Sequence, residues 1–380
     1  MKFFILAILL LVIFFLLYKK FKKKIFKIIW IIIFLILVSE LLFRIFEPFI
    51  RINPMWVADE KLGFKVRANY LHTNSNGFND IERSISKNKN MRRIIVFGDS
   101  FSWACGYEGN YISLLDKYFK KSGNVCEVLN FGYPAIGPGY LYNLLLEKGL
   151  NYNPDTVILS FFVGNDFDES KIEKEIFTTI RFGNPHSLIK KHFFRITEES
   201  YLFYFFDHFR KIILNAVRKK IDDASENKMP DSTFSIRDFM KIERTRLKVC
   251  RNNFYLEDEA WENTKNAIMT FKKLLDSKSI DFILIILPDQ FQSDNKLQKQ
   301  LFQNFKDLKF EEFDFDLPQK KLKEFCSANS IRYIDVLPEF KEKSETEELY
   351  LPRDTHFNVK GNKLCAETVF KRLTTFSSDN

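Results

Sequence analysis

The chain opens on two apolar runs that are separated by a short basic segment. The runs extend from Phe3 to Tyr18 and from Ile25 to Phe43, and residues 18–24 between them read YKKFKKK. The second run approaches the roughly 20 residues that span a hydrocarbon core of about 30 Å. Lysine and arginine are retained on the cytoplasmic side of a membrane. The pattern therefore predicts a membrane hairpin over 1–47, with transmembrane helices at about 3–18 and 25–44 and the basic loop in the cytoplasm.

Two other interpretations of this region stay open. The first run could be a signal peptide, although its charged flank is Lys2 alone and no A-x-A-like cleavage site follows it. Alternatively, the first run lies at the membrane interface and only the second run crosses the bilayer. In both the hairpin and the single-span interpretation, the C-terminal part lies outside the cytoplasm. We expect a bacterial-type inner (cytoplasmic) membrane with the large C-terminal domain on its extracytoplasmic side.

Beyond residue 91, short apolar runs alternate with segments of helical spacing. The runs predict strands at Arg92–Phe97, Cys126–Phe131, Thr156–Val163, Asp281–Leu287 and Ile331–Val336. Helical spacing follows each of them. Strands that alternate with helices form a parallel sheet that is covered on both faces. The pattern thus predicts an α/β domain over 92–376 with a mostly parallel five-stranded sheet, preceded by a turn-rich connector over 48–91.

The alternation is interrupted at about 167–255, where the sequence is aromatic and basic and shows no strand pattern. We expect a helical insertion there. Aromatic clusters such as Tyr201–Phe206 could cover a site, touch a membrane surface or pack onto the core. Packing is the expectation, because large aromatic side chains are mostly buried.

Net charge and cysteine content narrow the possible functions. Of the formal charge of +9, residues 1–50 carry +6, from eight Lys or Arg and two Glu. The remaining +3 is too small an excess to indicate a nucleic-acid partner. The five cysteines are scattered without C-x-x-C spacing, so neither a zinc site nor a disulfide framework is expected. One pair could still close if the domain lies in an oxidising compartment.

Glycine and polar residues lie at the ends of three predicted strands. They form Gly98-Asp-Ser100, Asn130-Phe-Gly132 and Gly164-Asn-Asp166. In an open α/β sheet, ligands bind at the carboxyl ends of the strands, so these segments should converge on one cleft. Ser100 is a candidate nucleophile. The N–H groups of Ser100 and Gly132 and the side chain of Asn165 are candidate donors to the oxyanion of an acyl-transfer reaction.

A serine nucleophile also needs a base. Of five histidines, His356 lies in a polar loop after the last predicted strand, and the other four lie in the connector or the insertion. Asp354, two residues earlier, can hold the imidazole in the productive tautomer. This chemistry needs no metal and no organic cofactor.

The segments that carry these residues, in this order and spacing, resemble the four sequence blocks of the SGNH/GDSL hydrolase superfamily. The matching segments are Phe97–Phe101, Asn130–Gly132, Gly164–Asp166 and Asp354–His356. Upstream, Asn74–Phe78 is similar to a lead-in of membrane-tethered bacterial members, and the resemblance covers roughly residues 70–375. It implies a flavodoxin-like three-layer sandwich, Ser100 as nucleophile, His356 as base oriented by Asp354, and Gly132 and Asn165 in the oxyanion hole.

Each block alone also has a structural explanation. Gly98-Asp-Ser100 could be a helix N-cap, Gly164-Asn-Asp166 a turn, and Asp354-Thr-His356 a cap of the closing helix. Their coincidence at successive strand ends favours function.

The spacing between Asp354 and His356 departs from the family pattern. Most members place the Asp three residues before the His, whereas two residues, with an aromatic such as Phe357 following, are similar to alginate and peptidoglycan O-acetyltransferase relatives. The sequence thus predicts a serine-dependent ester hydrolase that acts on an acylated envelope carbohydrate or lipid through an acyl-enzyme. An alternative is an O-acyltransferase that modifies a cell-envelope polysaccharide and receives its acyl donor from a multi-span partner. A second alternative is a non-catalytic binding protein on the same fold.

Overall fold

The computed structural model describes residues 2–50, 55–59, 61–70, 72–104, 106–168, 202, 205–206, 209–210, 233–257 and 259–378. The chain divides into two compact units. Unit 1 comprises Met1–Arg67 and Glu175–Lys228, and unit 2 comprises Ala68–Lys174 and Met229–Asn380. Most of the predicted insertion, including 169–201 and 211–232, lies outside the described residues. Its C-terminal part, from residue 233, is described and is mainly helical, as the sequence predicts.

Unit 1 begins with two helices, α1 (Lys2–Phe21) and α2 (Lys24–Ile50), which break at Lys22, where φ is 49°. The helices pack on one another, and the rings of Phe15 and Trp30 lie 6.1 Å apart. Within the described part of the chain, one helical stretch, Lys24–Phe46, is long and apolar enough to cross a membrane. The two predicted helices therefore form, but only the second has the length and hydropathy of a span. The apolar run of the first is short for a hydrocarbon core.

A small antiparallel hairpin completes the N-terminal part of unit 1. It consists of β1 (Trp56–Asp59) and β2 (Gly63–Val66), and the Trp56 ring packs edge-on against Phe64 at 5.0 Å. The sequence analysis treated these residues as part of an irregular connector. The strands are four residues each, too short for an alternating pattern to be recognised.

Unit 2 is built on a five-stranded sheet with the order β4-β3-β5-β6-β7, in which every neighbouring pair is parallel. The strands are β3 (Arg92–Gly98), β4 (Cys126–Gly132), β5 (Thr156–Phe162), β6 (Asp281–Leu287) and β7 (Arg332–Asp335). The predicted parallel five-stranded sheet is confirmed. The strands read as continuous apolar runs because helices cover both faces of the sheet.

Helices lie on both faces of this sheet. Those described in unit 2 are α3 (Ser100–Trp103), α4 (Gly106–Gly109), α5 (Tyr111–Lys121), α6 (Pro138–Glu147), α7 (Ile236–Arg246), α8 (Asn252–Glu257), α9 (Glu259–Ser277), α10 (Gln290–Ser293), α11 (Asn295–Asn304), α12 (Leu317–Ala328), α13 (Leu337–Ser344) and α14 (Val359–Ser378). Ile94 and Val96 of β3 belong to a core cluster with side chains of α5 and α14. Phe97, which points to the other face, contacts Phe271 of α9. The alternation of β3 side chains thus fills two apolar layers, one on each face of the sheet.

Candidate active site

Ser100 lies at the carboxyl end of β3, in the first turn of α3. Asp99 is the N-cap, and its Oδ1 accepts the Phe101 N–H at 2.9 Å. Gly98 is glycine because a Cβ there would overlap the Ser102 hydroxyl. Among the described residues, none accepts a hydrogen bond from the Ser100 N–H. Since the first N–H groups of a helix have no partner within it, this one is available to an anion.

His356 and Asp354 reach Ser100 from the loop between α13 and α14. His356 Nε2 lies 2.8 Å from Ser100 Oγ, and His356 Nδ1 lies 2.6 Å from Asp354 Oδ1. The same Asp354 oxygen accepts the backbone N–H of His356 at 3.0 Å. This short turn explains how a two-residue spacing still places a carboxylate on the imidazole. The three residues that the sequence singled out form one continuous hydrogen-bonded chain.

The loop that carries the histidine is closed by backbone pairing. Leu351 donates its N–H to the His356 carbonyl at 2.9 Å, and Asn358 donates to Leu349, also at 2.9 Å. Phe357 is buried and packs on Phe101 at 4.8 Å and on Phe340 at 4.6 Å. The aromatic residue after the histidine is therefore part of the core. In this fold it anchors the loop, so its presence does not favour an acceptor-sugar site.

A fourth residue, Thr233, joins the chain and was missed by the sequence analysis. Its hydroxyl donates to Asp354 Oδ2, and the neighbouring Phe234 N–H donates to the Arg353 carbonyl at 3.1 Å. Burial alone would raise the pKa of Asp354, but hydrogen bonds from His356 and Thr233 outweigh burial and hold the pKa below its ordinary value. A lone threonine in a segment without periodicity gave no sequence signal.

Replacing Thr233 by Val should lower kcat roughly tenfold or more, since a hydrogen bond to a charged group contributes about 1.5–3 kcal/mol. Without the hydroxyl, the pKa of Asp354 rises towards its unfolded value. Protonation of Asp354 would then begin at higher pH, and the acid side of the kcat profile should move upward. Thr233→Ser keeps the hydroxyl and should restore both the rate and the profile. Equal rates for wild type and Thr233→Val would remove Thr233 from this role.

The N–H of Gly132, one of the predicted oxyanion donors, already has an acceptor. Gly132 ends β4 next to Ser102, but its N–H already donates to the Asn130 side chain at 2.8 Å. The Asn130 amide in turn donates to the carbonyls of Ser102 (2.7 Å) and Asn79 (3.1 Å). Without a substrate, the Gly132 N–H is thus bonded to the asparagine two residues before it, and its place in the oxyanion hole stays a prediction. Both residues fix the end of β4 against α3.

Asn165, another predicted oxyanion donor, has a side chain without a hydrogen bond among the described residues. It lies in the turn after β5, which is held by Asp166, whose Oδ2 accepts the Phe162 N–H at 2.8 Å. Within the described residues, the Asn165 side-chain amide makes no hydrogen bond, and its Oδ1 is buried. Gly164 allows this tight turn, because a Cβ there would overlap Asp289 and the Phe162 ring. Asn165 thus has a fixed backbone and an uncommitted side chain.

A further N–H is free in the loop that leaves β4. Ala135 is exposed and adopts a left-handed φ of 55°, a conformation that costs a non-glycine residue about 1–2 kcal/mol. None of the described residues accepts its N–H. Backbone strain of this kind clusters at functional sites. A left-handed alanine has no recognisable sequence pattern, so this strained loop residue was not predicted.

Comparison with family models and with curated proteins gives no match. Solved structures with similarity include the acetyl xylan esterase AlAXEase (16% identity, 74% of this chain and 98% of that chain, TM-score 0.39). Another is the lipase/acylhydrolase from Enterococcus faecalis (15%, 74% and 95%, TM-score 0.35). A third is a member of the lipolytic protein G-D-S-L family from Veillonella parvula (12%, 74% and 98%, TM-score 0.34). Similarity this low does not support a conclusion about function, which we draw from the geometry of the site.

A buried charged cluster from α7 and the loop after β6 lies against the Asn165 turn. Arg246 Nη1 is 3.4 Å from Asp289 Oδ2 and 3.6 Å from Glu243 Oε1, and its guanidinium lies 5.2 Å from the Phe162 ring centre. Burial raises the pKa of Glu243 and Asp289, and it raises the pKa of Asp99 to about 6. The arginine therefore offsets charge that would otherwise be uncompensated beneath the site. No sequence pattern marks Glu243, Arg246 or Asp289 as functional residues.

Proposed function

We propose that this protein is a serine-dependent ester hydrolase that acts on an acylated envelope carbohydrate or lipid through an acyl-enzyme at Ser100. One observation carries the proposal: the unbroken hydrogen-bond chain from Ser100 Oγ through His356 to Asp354, continued by Thr233. A buried carboxylate that orients an imidazole against a hydroxyl is the arrangement that activates serine for nucleophilic attack.

In the proposed mechanism, His356 Nε2 takes the proton of Ser100 Oγ as the oxygen attacks the ester carbonyl carbon. The negative oxygen that forms is stabilised by the Ser100 N–H and the Asn165 side chain, and Gly132 remains the predicted third donor. The imidazolium then protonates the leaving alcohol, which departs and leaves the acyl-enzyme. Water, deprotonated by His356, attacks the acyl carbon and releases the acid, and the proton returns to Ser100.

Asn165→Ala should lower kcat by about 10²–10³ with little change in KM, because the side chain binds charge that develops in the transition state. Turnover of p-nitrophenyl acetate measures both constants. Asn266→Ala, an exposed change on α9, serves as the control. A loss confined to KM would assign Asn165 to ground-state binding and contradict its place in the oxyanion hole.

The proposed site of action is the outer side of a bacterial-type inner membrane. The apolar helix Lys24–Phe46 and the basic residues that precede it support this topology, with the lysines in the cytoplasm and unit 2 outside. In this proposal α1, which packs on α2, is the other arm of the hairpin. A membrane-impermeant maleimide should label a cysteine at Phe310, exposed in unit 2, on intact spheroplasts. Labelling only after lysis would place unit 2 inside the cell.

The alternative is transfer of the acyl group to a sugar hydroxyl in place of water. This alternative is supported by the two-residue spacing between Asp354 and His356, which the turn accommodates. It would require a separate multi-span protein to supply the acyl donor. Purified protein with a labelled acyl ester and an envelope oligosaccharide distinguishes the two reactions. Transfer far in excess of hydrolysis would replace the hydrolase proposal.

Reaction with a fluorophosphonate probe distinguishes the proposed hydrolase from a non-catalytic binding protein. An activated serine forms a covalent phosphonyl adduct, so the wild type should be labelled in proportion to active sites, and Ser100→Ala should not. A chain that stays inert to the probe while it remains folded would favour the binding protein.

A further inference from the structure

Near its C-terminal end, the apolar helix α2 carries a buried carboxylate, Glu40. Its side chain has no exposed surface. Oε1 accepts Arg44 Nε at 3.0 Å, and Oε2 accepts the backbone N–H of Leu202, distant in sequence, at 2.9 Å. A carboxylate on an apolar helix is costly unless its oxygens are paired. Here both carboxylate oxygens of Glu40 accept a hydrogen bond. One donor lies in the same helix, and the other lies in the middle of the predicted insertion.

The partner of Glu40 belongs to an aromatic segment, defined here by its described residues Leu202, Phe205, Phe206, Phe209 and Arg210. All five have helical backbone. The Phe205 ring packs on Phe43 of α2, one turn after Glu40, with a centroid distance of 4.5 Å. The same ring stacks with Phe209 at 6.1 Å. One polar and one aromatic contact thus fix the aromatic segment to the same face of α2.

The outer side of the aromatic segment is uncovered. Phe206 is 62% exposed and Phe209 is 52% exposed. On α2, within two turns of the Phe205–Phe43 contact, Leu41, Leu42, Ile45 and Phe46 are also exposed. Contiguous exposed apolar surface marks a contact with another apolar phase. On an interfacial helix, phenylalanine and leucine enter the boundary between headgroups and acyl chains.

We propose that the aromatic segment inserts into the phospholipid bilayer beside α2, at the level of Glu40 and Arg44, with Phe206 and Phe209 in contact with acyl chains. Through its hydrogen bond with the Leu202 N–H, Glu40 acts as the latch that holds the aromatic segment to α2. The aromatic segment is then a second membrane anchor, in place of the core-packing role expected from the sequence. This inference rests on the proposal that α2 spans a membrane.

The test uses the full chain in phosphatidylcholine/phosphatidylglycerol vesicles, with Cys105 replaced by Ser and single nitroxide labels on introduced cysteines. The label sites are Phe206→Cys, Leu35→Cys in the middle of α2, and Phe310→Cys in unit 2, which are similarly exposed at 62%, 56% and 56%. Collision with oxygen reports lipid, and collision with a water-soluble nickel chelate reports water. We expect oxygen contact and loss of nickel contact at positions 206 and 35, and the reverse at position 310.

The outcomes separate this inference from the proposal beneath it. Water contact at position 206 together with lipid contact at position 35 would overturn the second anchor alone. Water contact at position 35 would overturn the proposed span as well. In Glu40→Leu, which has no acceptor for the Leu202 N–H, the label at 206 should become accessible to the nickel chelate, whereas Glu40→Gln should keep it in lipid. A label that remains in lipid in Glu40→Leu would contradict the latch.

Discussion

Ser100→Ala should reduce turnover of p-nitrophenyl acetate by a factor on the order of 10⁴–10⁶, because the enzyme then has no nucleophile and can form no acyl-enzyme. The change removes one oxygen and its contact with His356 Nε2. The N–H at position 100 remains, so the loss is expected mainly in kcat and only slightly in KM. The measurement is steady-state release of nitrophenolate by the full chain in detergent.

The matched control is Ser277→Ala, which removes an exposed hydroxyl from the last residue of α9. It should leave turnover unchanged, and the melting temperatures of both variants should match the wild type. Because members of a triad act as a unit, adding His356→Ala to Ser100→Ala should cost little more. If Ser100→Ala keeps more than a few per cent of the activity while folded, Ser100 is not the nucleophile.

Asp354→Asn should lower kcat by about 10⁴ while the loop stays folded, as expected when the imidazole is held in the wrong tautomer. The contacts of Asp354 give the reason. Three donors converge on the carboxylate: His356 Nδ1 and the His356 N–H on Oδ1, and the Thr233 hydroxyl on Oδ2. An asparagine has only one acceptor oxygen. If that oxygen serves Thr233, its NH₂ faces Nδ1, and Nε2 then carries the proton and cannot accept one from Ser100.

Asp238→Asn is the control for this change, because Asp238 is an exposed acid at the start of α7 whose hydrogen bonds are with Ser235. It should not alter kcat. A pH series adds a second readout, since the pKa of Asp354 lies below its ordinary value and protonation of the wild-type carboxylate is confined to low pH. If kcat of Asp354→Asn near neutral pH is close to that of the wild type, His356 does not depend on this carboxylate.

The parts of the fold that could be predicted from the sequence are those set by burial. All five strands of unit 2 were found, because a parallel strand between two helical layers must be apolar along its whole length. The contact between Ser100 and His356 could be predicted because each lies at or after a strand end, where chain topology brings distant segments to one edge of the sheet. The Asp354–His356 contact was predicted from adjacency alone.

What the sequence did not predict depends on single contacts between distant residues. Nothing in a local pattern places Thr233 on Asp354, 121 positions away, or Leu202 on Glu40. The hydrogen bond from the Gly132 N–H to the Asn130 side chain likewise depends on a side-chain orientation that no sequence pattern shows. The hairpin over 56–66 has too few residues per strand for a periodic pattern to stand out.

The central claim, that Ser100 forms the acyl-enzyme, is tested most directly by finding the acyl group. The full chain is mixed with p-nitrophenyl acetate, quenched in acid during the first turnovers, digested and mapped by mass spectrometry. We predict one acetyl group on the peptide that contains Ser100, localised to that residue, and no acetylated peptide from Ser100→Ala under the same conditions. An acetyl group on another residue that forms and decays at the rate of turnover, with Ser100 unmodified, would contradict the account.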